Sequence, residues 1–305
     1  MLTGVLAGLA AGALWGLVFV APRMVAGVAG IDLTAGRFVV YGAVSVAALT
    51  VSWRRARKPT WRQAWGALWL SVLGFTGYYW ILVMAIRDAG TEMPALIVGT
   101  IPVWVMLLGK PHGLRWVALL PGLALTVAGL YFMSKGSLAQ VDQAHVAMKI
   151  EAYKSTYWRG IGLSVVAMAC WTAFSLLNAA WLRRHPDVGA TDWANWLGVA
   201  TGLGGLLLAL SLGTPLPTLM ANPVWPLFAV IVLAIGFGSS WLATILWNLA
   251  SQRLSASLCG QLIVSETLFA LLYSFLWDHR WPSSLQWGAV ALFTAGILAS
   301  IKAHQ

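Results

Sequence analysis

A single carboxylate interrupts the long apolar stretch Gln261–Leu276. The chain has nine Asp and Glu residues, and the hydropathy pattern places only Glu266 near the centre of a membrane helix. A charged side chain there is costly, so it typically marks a substrate pathway or a proton relay. We expect Glu266 to bind a substrate ammonium group or to carry a proton. The competing interpretation is a neutral glutamate that hydrogen-bonds within the helix bundle.

Further side chains are predicted to surround this carboxylate in a cavity. Aromatic rings hold apolar substrate groups and attract an ammonium group through cation–π contacts, whereas hydroxyl and amide groups orient a zwitterion. The predicted cavity is lined by Trp15, Tyr78, Tyr79, Thr100, Trp171, Trp241, Gln261 and Glu266. For the aromatic members, packing in the core or at the bilayer interface is the alternative. Adjacent Tyr78 and Tyr79 lie about 100° apart on a helix, so we expect at most one to point squarely into a cavity.

The composition identifies a protein that crosses a membrane several times. Hydrophobic residues make up 60% of the chain, charged residues 9%, and the mean hydropathy is +0.79. A soluble domain of this length needs far more surface charge. The net charge of +10 does not indicate nucleic-acid binding, because the basic residues fall mostly in short loops between apolar segments, where they set orientation.

Enzymatic and channel functions are disfavoured by the polar residues. The histidines, at positions 112, 145, 185, 279 and 304, all fall in predicted loops, connectors or the tail, so an intramembrane metal cluster is not expected. Cys170 and Cys259 lie in apolar runs and are expected to be free, buried thiols. A channel would show polar stripes or charged rings along a pore. We therefore expect no enzyme activity, no metal and no cofactor.

Ten apolar segments approach the ~20 residues that a membrane-spanning helix needs. Their predicted limits are 3–26, 32–53, 63–86, 92–109, 114–133, 158–181, 193–212, 224–250, 256–277 and 284–302. The basic block Arg54–Arg62 lies in a short loop and predicts that both termini are cytoplasmic. Residues 134–157 are polar, and apolar residues at helical spacing within them predict a short amphipathic helix at the membrane surface.

Small residues and prolines predict how particular helices pack. Glycine recurs at every fourth position from Gly4 to Gly16, which places these residues on one helix face where another helix can approach closely. We interpret this stripe as structural. Pro94 and Pro102 remove backbone donors from the fourth segment and predict a kink there.

Two charged residues at the start of the second segment are also interpreted as structural. Asp32 and Arg37 lie near one predicted membrane interface. Such a pair typically forms a local salt bridge or contacts lipid headgroups. Neither residue is included in the predicted cavity.

The two halves of the chain share a weak internal repeat. The matching elements are Gly74-Phe75 with Gly236-Phe237, Leu96–Val98 with Leu262–Val264, and Trp15 with Trp171. Residues 1–135 and 157–305 would each supply five helices, joined by the connector 136–156. Because five is odd, the halves enter the membrane from opposite sides. Such inverted repeats are typical of transporters whose substrate site lies near the middle of the membrane.

With these features the chain resembles the EamA-type branch of the drug/metabolite transporter superfamily. The resemblance covers nearly the whole chain and rests on the two five-helix halves, the Leu-Ile-Val triplets of the fourth and ninth segments, and the Ala-Gly pairs of the fifth and tenth. Within that branch it looks closest to the YddG-type amino-acid exporters of Gram-negative bacteria. One departure concerns the ninth segment, where family members often have proline after the glutamate and this chain has Thr267.

The resemblance implies an all-α membrane protein with ten transmembrane helices, built as two inverted five-helix repeats around a central cavity. It implies a bacterial inner-membrane exporter of small metabolites, and for the YddG-like group aromatic and other neutral amino acids, moved by alternating access. The alternative is a multidrug or cationic-compound exporter of the same fold, in which Glu266 and the tryptophans surround a bulky cation. The expected partners are the small-molecule substrate and the lipid bilayer, with no nucleic acid, and the protein is expected to be a monomer.

Overall fold

The computed structural model describes residues 2–52, 58–108, 116–142, 147–185, 187–253 and 256–303, and these residues form helices and connecting turns. The helices are α1 (Leu2–Met24), α2 (Gly30–Val51), α3 (Trp61–Ser71), α4 (Gly77–Ala89), α5 (Glu92–Val98), α6 (Ile101–Leu108), α7 (Trp116–Asp142), α8 (Ala147–Arg184), α9 (Ala190–Leu212), α10 (Leu216–Met220), α11 (Trp225–Leu233), α12 (Ala243–Arg253), α13 (Ala256–Trp277) and α14 (Ser284–Ala303). Two π-helical segments, π1 (Val72–Thr76) and π2 (Ala234–Leu242), join α3 to α4 and α11 to α12.

The described helices confirm an all-helical membrane protein. Six continuous helical stretches, some of which join neighbouring helices through a π-helical segment, are long and apolar enough to cross a bilayer. They are Leu2–Met24, Gly30–Val51, Trp61–Ala89, Lys154–Asn178, Thr191–Leu212 and Trp225–Trp247. Shorter apolar helices cover Glu92–Val105, Leu262–Trp277 and Ser284–Ala299. The predicted number of ten spans therefore remains a prediction, whereas the multi-pass character is established.

The predicted polar connector is helical on both of its sides. Helix α7 continues to Asp142, and α8 begins at Ala147 and runs to Arg184. The expectation of a separate short surface helix was wrong, because the polar residues extend two long helices instead. Residues 143–146 lie outside the described part of the chain.

The glycine stripe of α1 packs against α13, the helix that carries Glu266. A Cβ atom added at Gly8 would lie 2.7 Å from Leu262 Cδ1. One added at Gly16 would lie 2.9 Å from the backbone nitrogen of Ala270 and 2.9 Å from Phe269 Cβ. Real Cβ atoms do not approach backbone so closely, so the absence of side chains lets the two helices meet. The predicted packing role of the stripe is confirmed.

Glycines also sit at two other close helix pairs. Gly42 of α2 faces Gly202 of α9, where a Cβ on Gly202 would lie 2.6 Å from Gly42 Cα. Between α7 and α14, a Cβ on Gly129 would lie 2.8 Å from Ala289 O, and one on Gly296 would lie 2.6 Å from Thr126 N. Such small-residue contacts allow backbones to approach closely in membranes. They fix the positions of helices that carry few charged residues.

Candidate functional site

Glu266 lies at the middle of α13 and is partly exposed. Its position depends on the glycine stripe, because a Cβ added at Gly12 would meet Ser265 Oγ and lie 3.2 Å from the backbone nitrogen of Glu266. Helix α13 spans Ala256–Trp277, so at 1.5 Å per residue Glu266 stands roughly 15 Å from either end. The structure therefore agrees with the predicted mid-helix depth of this carboxylate.

A buried arginine, Arg37 of α2, lies close to this site. Arg37 is 7% exposed, and its Nε donates a hydrogen bond to Ser240 Oγ of π2 at 3.1 Å. Its guanidinium carbon lies 4.2 Å from the ring centroid of Tyr79 and 5.1 Å from that of Phe38. A cation in contact with two aromatic rings gains cation–π attraction, which is strongest where water is excluded.

The interpretation of Asp32 and Arg37 as a local pair was wrong. Asp32 instead accepts hydrogen bonds from the backbone nitrogen of Thr214 at 2.8 Å and from Thr214 Oγ1 at 2.6 Å. The two residues are five positions apart, which places them about 140° apart around a helix. Asp32 therefore ties the start of α2 to the segment after α9, while Arg37 turns into the bundle. The five-residue spacing was the signal in the sequence that could have shown that Arg37 faces a different side of α2 from Asp32.

Arg37 and Glu266 interact electrostatically without forming a salt bridge. Each acts on the other through its charge, and both also act on Tyr78. Among the carboxylates that the structure describes, none lies within 4.0 Å of the Arg37 guanidinium nitrogens. The site thus holds an arginine and a carboxyl group that share an aromatic neighbour and form no salt bridge with each other. Ionisable groups in a membrane interior usually pair directly, so this separation is unusual.

Four of the predicted aromatic residues border one core cluster beside this charged pair. Tyr78 is 8% exposed and Tyr79 is fully buried, and Tyr79 donates a hydrogen bond from its hydroxyl to Val18 O at 3.4 Å. Partly buried Trp171 and Trp241 pack against the same cluster. Both tyrosines are therefore interior residues, and neither faces lipid.

The other predicted site residues lie further from the charged pair or outside what is described. Trp15 packs against Trp247 with ring centroids 5.4 Å apart. Thr100 is buried, and its hydroxyl lies 3.2 Å from Met168 Sδ and accepts a hydrogen bond from Trp104 Nε1 at 3.1 Å. Gln261 belongs to α13, but its side chain is not among those described. A cavity that joins all eight residues remains a prediction.

The fourth predicted segment is broken into α5 and α6 at Gly99 and Thr100, which confirms the predicted kink. Thr100 Oγ1 donates to Ile97 O at 2.6 Å, a carbonyl that also accepts from the backbone nitrogen of Thr100 at 3.1 Å. Thr267 of α13 donates to Ala95 O at 3.4 Å, and this carbonyl also accepts from the backbone nitrogen of Gly99 at 2.9 Å. Pro102 then lies in the first turn of α6, where its missing donor costs little. Broken helices of this kind are tolerated inside membranes when neighbouring groups satisfy the freed backbone.

Both π-helical segments contain one of the repeated Gly-Phe pairs. π1 includes Gly74 and Phe75, and π2 includes Gly236 and Phe237. π-helical turns are rare and occur often at functional sites. π1 directly precedes the two tyrosines, and π2 carries Ser239 Oγ, which donates to Leu14 O, together with the Ser240 hydroxyl that holds Arg37. This helix type was not predicted from the residue pattern.

A cluster of charged residues joins the ends of α1, α5 and α13. Arg23 Nη1 donates to Ser274 Oγ at 2.9 Å and its Nη2 is paired with Asp278. Glu92 lies 4.0 Å from Arg23 and accepts from Ser274 Oγ at 2.7 Å. The side chains of Glu92 and Asp278 are 13% and 12% exposed. Arg23 therefore neutralises two carboxylates that are mostly shielded from water.

Replacing Arg23 by Gln is expected to lower the free energy of unfolding by about 1–3 kcal/mol, because charged hydrogen-bond partners are left without their donor. The matched control is Arg280→Gln, since Arg280 is 60% exposed and lies 3.5 Å from Asp278; an exposed pair contributes only about 0–1 kcal/mol. Thermal melting of both variants in detergent measures the difference. Equal melting temperatures for the two variants would contradict the proposed role of the cluster.

An apolar groove is present elsewhere in the structure and does not include the charged pair. It opens between α2, α3 and α9 and is lined by Leu49, Lys58, Pro59, Ala64, Ala67, Leu68, Trp196, Val199, Ala200 and Leu203. None of the predicted site residues whose side chains the structure describes borders this groove. Among the described residues, no group of three or more His, Cys, Asp or Glu side chains could hold a metal ion.

The described helices define a multi-pass, all-helical membrane protein. No model of a protein family matches the chain. The chain is 33% identical, over 318 aligned positions that cover 99% of it and 96% of the relative, to the inner membrane protein YtfF of Escherichia coli (strain K12). The chain therefore belongs to the family of YtfF. A crystal structure of a protein that is 23% identical superposes with a TM-score of 0.63 and covers 97% of this chain and 96% of that chain, which shows a shared fold.

Proposed function

We propose that this protein is an inner-membrane exporter of small metabolites, with aromatic and other neutral amino acids as its substrates. The observation that carries the proposal is the presence of two ionisable side chains, buried Arg37 and partly exposed Glu266, near the aromatic residues Tyr78 and Tyr79. Ionisable residues inside a helix bundle are retained where a substrate or ion must be bound. The inner-membrane location follows that of YtfF, which is named as an inner membrane protein.

The proposed architecture is a pair of inverted five-helix repeats of the EamA type, ten helices in all. Its support is the pairing of helices, since α2 packs against α9 and α7 packs against α14. In the proposed repeat these are the second and the fifth helices of the two halves, each meeting its counterpart. The first helices also behave alike: α1 packs against α12 and α13, and α8 packs against α4, α5 and α6. Alternating access would then arise from rocking of one half against the other.

The chemistry of the site suits a zwitterion with an apolar side chain. Glu266 would attract the ammonium group, and the rings of Tyr78, Trp171 and Trp241 would contact the side chain. Arg37 disfavours the alternative of a cationic drug exporter, because a cation drawn to Glu266 would also be repelled by the guanidinium group. The proposed exporter acts as a monomer, requires no cofactor and performs no covalent reaction.

A competition assay in proteoliposomes tests this function. Purified protein is reconstituted, and uptake of labelled phenylalanine is measured against unlabelled phenylalanine, threonine and ethidium, with and without a pH gradient. We expect both amino acids to compete and ethidium to have little effect. Uptake no faster than in protein-free vesicles, or competition by ethidium alone, would overturn the proposal. The dependence on the pH gradient separates proton-coupled export from facilitated diffusion.

A further inference from the structure

We infer that Arg37, together with Ser240 and Tyr79, forms a subsite for the carboxylate group of the transported molecule. This inference rests on the proposed transport function and adds a requirement on the substrate, which must carry a carboxylate. The subsite lies between α2, α4 and π2, the elements from which these three side chains come. Amines and quaternary cations that lack a carboxylate are then poor substrates, however well their apolar parts fit.

The donors of Arg37 exceed the acceptors that the protein supplies. A guanidinium group carries five N–H donors and is always charged. Among the described residues, Ser240 Oγ accepts from Nε at 3.1 Å, and the Tyr79 hydroxyl is a second hydrogen-bond partner of the guanidinium group. The face of the guanidinium is covered by the Tyr79 ring at 4.2 Å. The terminal nitrogens therefore lack a protein carboxylate, in a residue that is 7% exposed.

A carboxylate is the ligand that best matches this arrangement. Arginine binds carboxylates through two parallel hydrogen bonds from its planar fork, and these bonds are stronger than neutral ones. Ser240 Oγ binds Nε, and the Tyr79 ring covers one face of the guanidinium group. These two contacts orient the guanidinium group before a ligand binds. Such preorganisation lowers the cost of binding. The hydroxyl of Ser240 is itself held, because it donates to Ile235 O at 3.1 Å.

The relation of Arg37 to Glu266 explains why a zwitterion suits the site better than a simple anion. Arg37 and Glu266 both lie near Tyr78, and among the described residues no carboxylate lies within 4.0 Å of the Arg37 guanidinium nitrogens. An amino acid placed between them presents its carboxylate to Arg37 and its ammonium group to Glu266. Each of the two side chains then gains a direct partner, whereas an amine or a simple acid provides a partner for only one of them.

A purely structural role for Arg37 makes a different prediction. If the guanidinium only ties α2 to π2, then its loss weakens the bundle and affects every ligand equally. If it binds the carboxylate, then its loss affects only ligands that have one. The distinction requires ligands that differ in this group alone, and phenylalanine, phenethylamine and 3-phenylpropionate form such a series.

The test compares these three compounds as inhibitors of labelled phenylalanine uptake into proteoliposomes. With the wild-type protein, we expect phenylalanine to inhibit at a concentration at least about tenfold lower than phenethylamine, with 3-phenylpropionate between them. In Arg37→Gln, the concentration of phenylalanine that inhibits uptake by half should rise at least about tenfold, while the half-inhibitory concentration of phenethylamine should stay within about twofold of the wild-type value. Equal weakening of inhibition by phenylalanine and by phenethylamine in Arg37→Gln would overturn the inference. Stronger inhibition of the wild-type protein by phenethylamine than by phenylalanine would also overturn it.

Two further measurements keep the test decisive. If Arg37→Gln does not fold, Ser240→Ala serves instead, because it removes only the hydroxyl that holds Nε; the KM for phenylalanine should rise and inhibition by phenethylamine should not change. Equal effects of Ser240→Ala on both compounds would count against the subsite. Absence of phenylalanine uptake by the wild-type protein would instead refute the proposed transport function, so the two failures are distinguishable.

Discussion

Replacing Glu266 by Gln is expected to reduce phenylalanine export from loaded vesicles by about tenfold or more. The amide keeps the size of the side chain and removes its charge. Loss of one partner of a desolvated charge contact typically costs about 2–5 kcal/mol, and each 1.4 kcal/mol corresponds to about tenfold in binding. In this site the loss has a second effect, because it also removes the carboxylate of Glu266 from the surroundings of Arg37.

The control for this variant is Glu266→Asp, which keeps the charge on a shorter side chain and should retain part of the export rate. Both variants should reach the membrane in wild-type amounts and elute as a single peak in detergent, because Glu266 is partly exposed. Export by Glu266→Gln at the wild-type rate would remove this residue from the mechanism. The interpretation as a packing glutamate, neutral and hydrogen-bonded within the bundle, would then stand.

Replacing Gly16 by Ala is expected to destabilise the protein and to slow transport together. The added methyl group would lie 2.9 Å from the backbone nitrogen of Ala270 and 3.1 Å from the backbone carbon of Phe269. Backbone atoms cannot rotate away, so α13 must shift, and overpacking of this kind costs about 1–3 kcal/mol. Because α13 carries Glu266 one turn away, the shift also displaces the carboxylate.

The matched control for Gly16→Ala is Gly162→Ala in α8. A Cβ at Gly162 meets nothing within 4 Å, so only the general preference of helices for alanine acts there, which is worth about 0.5–1 kcal/mol in favour of the variant. Melting temperatures in detergent and phenylalanine transport rates report the two effects. If both substitutions raise the melting temperature alike, the close contact between α1 and α13 does not exist in the membrane.

Some features of this fold followed from the sequence because local chemistry determines them. The four-residue spacing of the glycines on α1 predicted a packing face, since helix geometry alone places them together. Pro94 and Pro102 predicted a break in the fourth segment, and the break occurs at Gly99 and Thr100. The position of Glu266 in the middle of a helix followed from the length of its apolar segment.

Other features depend on which helices meet, and the sequence does not encode that directly. Arg37 was assigned to the membrane interface from its nearness to the start of α2, whereas the structure buries it against Ser240, more than two hundred residues away in the chain. The same limit applies to Thr267, whose bond to Ala95 O joins two distant helices. The π-helical segments also escaped prediction, because Gly-Phe pairs and Gly-Ser runs are compatible with ordinary α-helix.

The central claim is that Arg37 and Glu266 together bind a neutral amino acid during transport. Counterflow tests it most directly: proteoliposomes preloaded with unlabelled phenylalanine are diluted into buffer that contains a trace of labelled phenylalanine. The wild-type protein should accumulate label transiently above equilibrium, and Glu266→Gln should do so at about one tenth of that rate or less. Label entry equal to that of protein-free liposomes, or equal accumulation by wild type and Glu266→Gln, would contradict the claim.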